Sequence, residues 1–347
     1  MSRSSIFSFE HFAGFRPRLP ATLLAVAGLL AALELCLRLL PEDKLIPARS
    51  RQGEIFFMER QVLPHFPKPQ VLLLGSSRVR RAAVPRQLDE ELALPPNSTL
   101  NAGLASGHVF EALYLYARNR AQLKQARLVM LNTDEWHLSS GWRLGSVFEL
   151  HAPWADRMQL PEPLRTRLLL DGVFSMRLRL RIIQGHISNW LVRRKPDTLD
   201  LKLDENNQVL PPLREPLPVD IDPARLDTTI EAFYYHFAIS RVLEGHVERL
   251  ARMVREDGGQ FVLMQLPNRS SYQSEVRKLH GAEYAAHIAA LRALAARLDV
   301  PLFLYDQPSA CGLSDESYED YGHITPAGAR TFTRFLADLI QREQWLK

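Results

Sequence analysis

The chain has 347 residues, with 43 Lys and Arg against 39 Asp and Glu and a net charge of +4. A hydrophobic fraction of 46% and a charged fraction of 24% exclude wholesale disorder, and 17 Gly and 23 Pro scattered without a period exclude a collagen-like chain. So small a net charge over this length excludes nucleic acid as a partner unless the cations cluster. The runs Arg78 with Arg80-Arg81 and Arg193-Arg194-Lys195 are short and read as solvated arginines. Two cysteines, Cys36 and Cys311, exclude a disulfide framework and a cysteine-based zinc site. The histidines lack ligand spacing, so neither a metal nor another cofactor is expected.

Residues 1–18 form a short tail containing Arg3, Arg16 and Arg18, and residues 19–40 (LPATLLAVAGLLAALELCLRLL) read as a transmembrane anchor. The run is near the ~20 residues that cross a hydrocarbon core, and Arg38 is close enough to its end to snorkel. The competing reading is a cleaved signal peptide, but Cys36-Leu37-Arg38 interrupts any small-x-small cleavage site. Basic residues flank both sides (Lys44, Arg49 and Arg51 follow), so charge does not set the orientation. The short tail favours an N-in topology. The expectation is therefore a single-pass protein of a bacterial inner membrane, its main domain on the periplasmic side. Residues 41–69, rich in Pro and charge, read as a linker.

From residue 70 to 347 short apolar runs alternate with helical patterns. Val71-Leu72-Leu73-Leu74 ends in Gly75-Ser76-Ser77, residues 98–103 make a second strand, and residues 127–131 a third that ends in Asn132-Thr133-Asp134. A helical pattern at 109–125 lies between the last two. Beyond a gap come a long amphipathic helix at 226–257, a strand at 261–266, a helix at 282–298, a strand at 301–305 and a final helix from Thr325-Pro326 to about Gln341. This alternation predicts an α/β fold, a doubly wound parallel sheet with its ligand beyond the carboxyl ends of the strands. The rhythm stops between about 139 and 225, an insertion holding Trp142, Trp154 and Trp190, the basic residues Arg177, Arg179 and Arg181, and a proline-rich run at 211–223. Its length suits a lid, a docking surface or a structural appendage.

A hydrolytic serine needs a hydroxyl on a tight turn, a histidine to take its proton and a carboxylate to orient that histidine. Ser77 follows the first strand at such a turn, and Asp320-Tyr321-Gly322-His323 sets a carboxylate three residues before an imidazole. His108 and His137 lie near the expected strand ends, where a structural role is favoured over substrate contact.

LLLGSSR at 72–78, LNAG at 100–103, LNTDEW at 131–136 and DYGHITPAGA at 320–329 together resemble the four blocks of the SGNH/GDSL hydrolases. The resemblance spans roughly 70–345, interrupted by the insertion, and its last block is the most specific part. It implies a flavodoxin-like sheet, with Ser77 as nucleophile, His323 as base and Asp320 as the base's orienting partner. It also implies an oxyanion hole from the Ser77 N–H, the Gly103 N–H and a third-block side chain, mapped to Asn132. Two departures stand out. Gly-Ser-Ser replaces the common Gly-Asp-Ser, which makes Ser76 an alternative nucleophile. Leu-Asn-Thr-Asp replaces Gly-x-Asn-Asp, so that Thr133 or Asp134 competes with Asn132 for the third slot.

Gly-Ser-Ser, an anchor and a large insertion are similar to a membrane-tethered subgroup that includes the D-alanyl transfer protein of teichoic-acid modification and the alginate O-acetylation proteins. That likeness implies an O-acyltransferase acting on a cell-envelope polysaccharide or glycan beside a membrane-bound O-acyltransferase partner. A plain acyl esterase and a non-catalytic scaffold are the alternatives.

Overall fold

The computed structural model describes residues 21–40, 46, 53–105, 107–139, 146–173, 179–180, 183–184, 187, 202–204, 208–210 and 223–346. The N-terminal tail, Trp142, Trp190, Arg177, Arg181, the Arg193-Arg194-Lys195 run and nearly all of the proline-rich stretch fall outside these residues. Helix α1 (Ala21–Leu39) has 19 residues, about 28 Å at 1.5 Å per residue, and only Leu37 is buried. Among the described residues it is the one helix long and apolar enough to cross a membrane.

The expected linker is largely part of the folded domain. Helix α2 (Glu54–Phe57) runs on through a wide turn at Met58–Val62 and a tight turn at Leu63–His65. Ile55, Met58, Val62 and Phe66 recur at helical spacing and are at most 2% exposed, enclosed in the main core with Phe56, Phe57 and Leu63. The prolines and charges of this segment suggested a tether, but its apolar stripe decides its place.

The main sheet comprises β1 (Val71–Gly75), β2 (Thr99–Gly103), β3 (Leu128–Asn132), β6 (Gln260–Gln265) and β7 (Leu302–Leu304). β4 (Lys202–Leu203) and β5 (Val209–Leu210) form a separate antiparallel pair inside the insertion. The order is β2-β1-β3-β6-β7, parallel throughout. This is the flavodoxin-like doubly wound arrangement, with a switch point where β1 lies between β2 and β3.

Alternate side chains go to opposite faces, as the period of two requires. Leu72, Leu74, Leu100, Val129, Leu131 and Leu263 enter one core. Val71, Leu73, Leu128, Met130, Val262 and Met264 enter the other. A run such as Val71-Leu72-Leu73-Leu74 is apolar at every position because both faces are covered. The second face is closed by α3 (Ser77–Ala82), α4 (Pro85–Glu91) and the long C-terminal helix, Pro326–Arg342. The first face is closed by α2, α5 (Val109–Arg118), the helix Arg241–Glu256 and the end of the helix Ser270–Leu298; the short α6 (Arg120–Leu123) follows α5.

The insertion contributes α7 (Ser146–His151), α8 (Trp154–Met158) and α9 (Leu164–Val173). Phe148 and Leu168 are at most 1% exposed in the main core, so these helices are fixed to the domain. The expected helix at 226–257 is two helices, α10 (Pro223–Tyr234) and α11 (Arg241–Glu256). No breaker in the sequence separates them. Ile239 instead bridges to Ser139, and the Ser240 N–H donates to the Leu138 carbonyl at 2.8 Å, holding the chain off the helix. The helix expected at 282–298 is the end of α12 (Ser270–Leu298), which bends at His280. The C-terminal helix, α13 (Pro326–Arg342), is capped by the Thr325 hydroxyl, which accepts from the Gly328 N–H.

Candidate active site

β1 ends on Gly75, whose φ of +144° suits glycine, and a Cβ there would lie 2.9 Å from a Val79 methyl and 3.1 Å from Asn132. The chain turns sharply into α3, with Ser76 as N-cap and Ser77 as first helical residue. The same neighbourhood constrains Gly103, where a Cβ would meet the Arg80 nitrogen and the Ser76 carbonyl at 2.7 Å. Glycine at the end of β2 thus lets α3 begin hard against the sheet.

Ser77 Oγ lies 2.8 Å from His323 Nε2, and His323 Nδ1 lies 2.7 Å from Asp320 Oδ2. The other Asp320 oxygen accepts the backbone N–H groups of Gly322 at 3.0 Å and His323 at 2.8 Å. With its Nδ1–H donated to a carboxylate, the imidazole presents the Nε2 lone pair to the serine hydroxyl. Burial by itself would raise the Asp320 carboxyl, but the bond to His323, the imidazole charge and the two N–H groups outweigh it and bring it to about 2. The His323 and Asp320 side chains are 13% and 10% exposed and Ser77 is half-buried, so these residues are not sealed from solvent. Three residues separated by up to 246 positions are thus brought into one chain of hydrogen bonds.

Ser76 is placed differently. It is 1% exposed, its hydroxyl donates to Asp134 Oδ2 at 2.5 Å and accepts the Arg78 N–H at 3.2 Å. A hydroxyl so enclosed, with a carboxylate and a helix N-terminus as its partners, is not an alternative nucleophile.

The expected oxyanion hole requires correction as well. Asn132 is wholly buried; its amide donates to Asp134 Oδ1 at 2.8 Å and its carbonyl oxygen accepts the Leu266 N–H at 2.8 Å. The Gly103 N–H donates to the Asn101 side chain at 3.2 Å. Both positions hold strands and the helix start together. Thr133 and Asp134, the other candidates for the third slot, are also fully buried. The Ser77 N–H has no acceptor among the described residues and remains as a donor at the start of α3.

Sequence reasoning set aside the residue that ties the site together. Arg78 is 1% exposed, not solvated. Its guanidinium donates to Asp134 at 2.5 Å, to the Leu266 and Pro267 carbonyls at 2.8 and 2.9 Å, and to the Gly322 carbonyl at 3.3 Å. It therefore joins the turn that carries Ser77, the ends of β3 and β6, and the loop that carries His323. Burial works against its charge, but Asp134 and Glu135 outweigh that and raise its pKa. Asp134 in turn is pushed up by burial but held below the usual carboxylate range by Arg78, His137, Ser76 and Asn132. Arg80 and Arg81 are also buried, paired with Glu54 and Glu319. The available signal was position: three arginines in a six-residue helix that must start between two strands cannot all face water.

His137 is completely buried, accepting the Asp134 N–H at Nδ1 and donating from Nε2 to the Gly107 carbonyl at 2.8 Å. His108 is 2% exposed with its ring 5.4 Å from that of His137, and burial drives its pKa well down. Neither can touch a substrate in this arrangement. Among the described residues no cluster of His, Cys, Asp and Glu could hold a metal ion. A cavity of about 360 Å³ lies one turn along α3, lined by Arg80, Arg81, Asn101, Gln208, Ile324 and Pro326 among others; neither Ser77 nor His323 lines it.

No protein-family model and no curated protein matches the sequence. Among solved structures, a Bacteroides fragilis protein assigned as an acylhydrolase is similar over 84% of this chain and 97% of its own, with 13% identity and a TM-score of 0.39. A GDSL-like lipase of Bacteroides thetaiotaomicron is similar over 84% of this chain and 95% of its own, with 12% identity and a TM-score of 0.36. At such values neither neighbour decides the chemistry of this chain.

Proposed function

We propose that the chain is a membrane-tethered serine enzyme of SGNH type that moves an acyl group through an ester on Ser77. The observation that carries this reading is the unbroken chain Ser77–His323–Asp320 on an accessible turn. Ser77 Oγ attacks the carbonyl of an acyl ester while its proton passes to His323 Nε2. Asp320 holds the ring and balances the imidazolium charge, and the Ser77 N–H stabilises the developing oxyanion. The imidazolium then protonates the leaving oxygen. In the second half an acceptor hydroxyl gives its proton to His323 and attacks the acyl-serine, and Ser77 recovers its proton as the tetrahedral centre collapses.

The acceptor in this reading is a hydroxyl of a cell-envelope glycan outside the cytoplasm, supplied with acyl groups by a multi-spanning O-acyltransferase in the same membrane. Support for that setting is α1, long and apolar enough to anchor the domain. Hydrolysis, with water as acceptor, is the second reading, favoured by the incomplete burial of Ser77. A fluorophosphonate probe followed by peptide mapping tests the nucleophile: one adduct on Ser77, absent in His323→Ala, is expected. No adduct on folded protein would refute the serine mechanism. Adding a glycan acceptor to the acyl-enzyme then separates transfer product from free acid.

A further inference from the structure

Helix α1 meets the insertion at its C-terminal end. Arg38, near the end of α1, donates to the Val173 carbonyl at 2.7 Å. Arg179 donates to the Leu37 and Leu40 carbonyls at 2.6 and 2.9 Å, taking up acceptors at the helix C-terminus. The insertion therefore sits where the anchor would leave the hydrocarbon.

The same part of the insertion displays apolar side chains. Outside residues 21–40, eight large apolar residues are exposed among the described ones, and six belong to it: Trp154, Met158, Leu170, Val173, Leu180 and Ile187. Trp154 and Met158 are one turn apart on α8, and Leu170 and Val173 one turn apart on α9. The two faces adjoin, because a Cβ on Gly172 would lie 3.4 Å from the Trp154 ring. Val173 also touches α1 through its carbonyl, so the apolar surface continues into the anchor.

This surface is built to stay in place. Arg157 donates to the Ala152 carbonyl at 3.0 Å and the Leu168 carbonyl at 2.8 Å, locking α8 to α9, while Leu168 on the opposite face of α9 is buried in the core. Helices with one face in a protein core and apolar side chains on the other are unusual in water. Tryptophan and methionine beside the end of a membrane span are what the headgroup boundary accommodates.

We propose that α8 and α9 lie on the bilayer surface beside the end of α1, with Trp154, Met158, Leu170 and Val173 immersed in the lipid interface. This rests on α1 being the membrane anchor. The domain is then held by two contacts, a span and a flat apolar foot, which fixes the height and tilt of the Ser77 site above the membrane.

The test uses the full chain with Cys36→Ser in lipid nanodiscs, carrying one nitroxide at Met158→Cys, Leu170→Cys, Leu30→Cys or Tyr235→Cys. Cys311 is buried, with its thiol pushed up to about 12, and stays unlabelled. Collision with oxygen, which concentrates in lipid, is compared with collision with a nickel chelate, which stays in water. The oxygen-to-nickel ratio at Met158 and Leu170 is expected to rise severalfold above that at Tyr235, itself 63% exposed and outside the insertion. A lipid signal at Leu30 with an aqueous signal at Met158 and Leu170 would overturn the proposal and leave the anchor standing. Protection from both reagents would overturn it in favour of a protein cover. An aqueous signal at Leu30 would remove the anchor and the proposal together. A label-free check is quenching by brominated lipid, which should lose a share of its effect in Trp154→Phe; unchanged quenching counts against the foot.

Discussion

Asp134–His137 and Asp320–His323 have the same Asp-x-x-His spacing, and each has one of two adjacent serines within hydrogen-bond reach of its members. Their geometries are opposite. At Asp320 the carboxylate faces its own histidine, which is left partly exposed with its far nitrogen on Ser77. At Asp134 it is the backbone N–H that bonds the histidine, while the carboxylate turns to Arg78 and Ser76 and both side chains are sealed from solvent. The cause is local. Glu135–Leu138 is a tight turn that folds His137 back onto the start of its own segment. Asp320 is followed by Gly322, where a Cβ would lie 2.9 Å from Arg78 Nε, and this close approach fixes the loop so that His323 reaches outward. One pair has the geometry for proton transfer from Ser77 and the other fastens the sheet ends; the motif alone does not say which.

The largest difference between the two pairs should appear in turnover. Ser77→Ala and His323→Ala are each expected to lower kcat on an aryl ester by at least ~10⁴-fold with an unchanged melting temperature. Asp320→Asn should cost roughly 10³–10⁴-fold, since the ring loses its orienting acceptor, and stopped-flow measurement of acylation would place the loss in that step.

At the other pair the effects should fall on stability. Arg78→Met leaves Asp134 buried without its cation and is expected to destabilise the fold by about 3–5 kcal/mol in urea unfolding. Arg78→Lys, which keeps the charge but not the fork, should lose less.

Glu111 gives a pH signature near His108, whose N–H it accepts at 3.1 Å. Burial raises its carboxyl from the ordinary 4.5 to about 7, so the folded state holds a proton the unfolded state releases. Its stabilising contribution is fully present below pH 4.5 and is lost as pH rises through about 7, a change on the order of 3 kcal/mol. Glu111→Gln should flatten that slope in a melting series across the window. The smallest effect belongs to Ser76→Ala, about 1 kcal/mol for the lost cap, with the Ser77 adduct retained. Loss of the adduct in Ser76→Ala together with its retention in Ser77→Ala would reverse the assignment of the two serines.

Several features were legible in the sequence because their physics is local. Short runs apolar at every position and bounded by turn residues identified the strands of a buried parallel sheet. A proline after Thr325 marked the start of the last helix, and an unbroken apolar run marked α1. Asp320 and His323 could be singled out only with the DYGHITPAGA block around them, since Asp134 and His137 share their spacing. Other features depended on partners far along the chain. Segment 53–66 was misjudged because what covers a helix-spaced apolar face is known only once the sheet exists. The break before Ser240 needed Leu138 and Ser139.

The choice between Ser76 and Ser77, and between a solvated and a buried Arg78, lay beyond local reasoning. Adjacent residues at a helix start point in directions set by the backbone, and what they meet comes from β3, from the end of β6 and from residues 320–323. The sequence by itself determined the chemical groups, their order and the sheet that would carry them. The tertiary structure decided which serine meets a histidine and which meets a buried carboxylate. The physical reason is that burial and hydrogen-bond partners are properties of assembled neighbours, as in the contact of Ser77 with His323 across 246 positions.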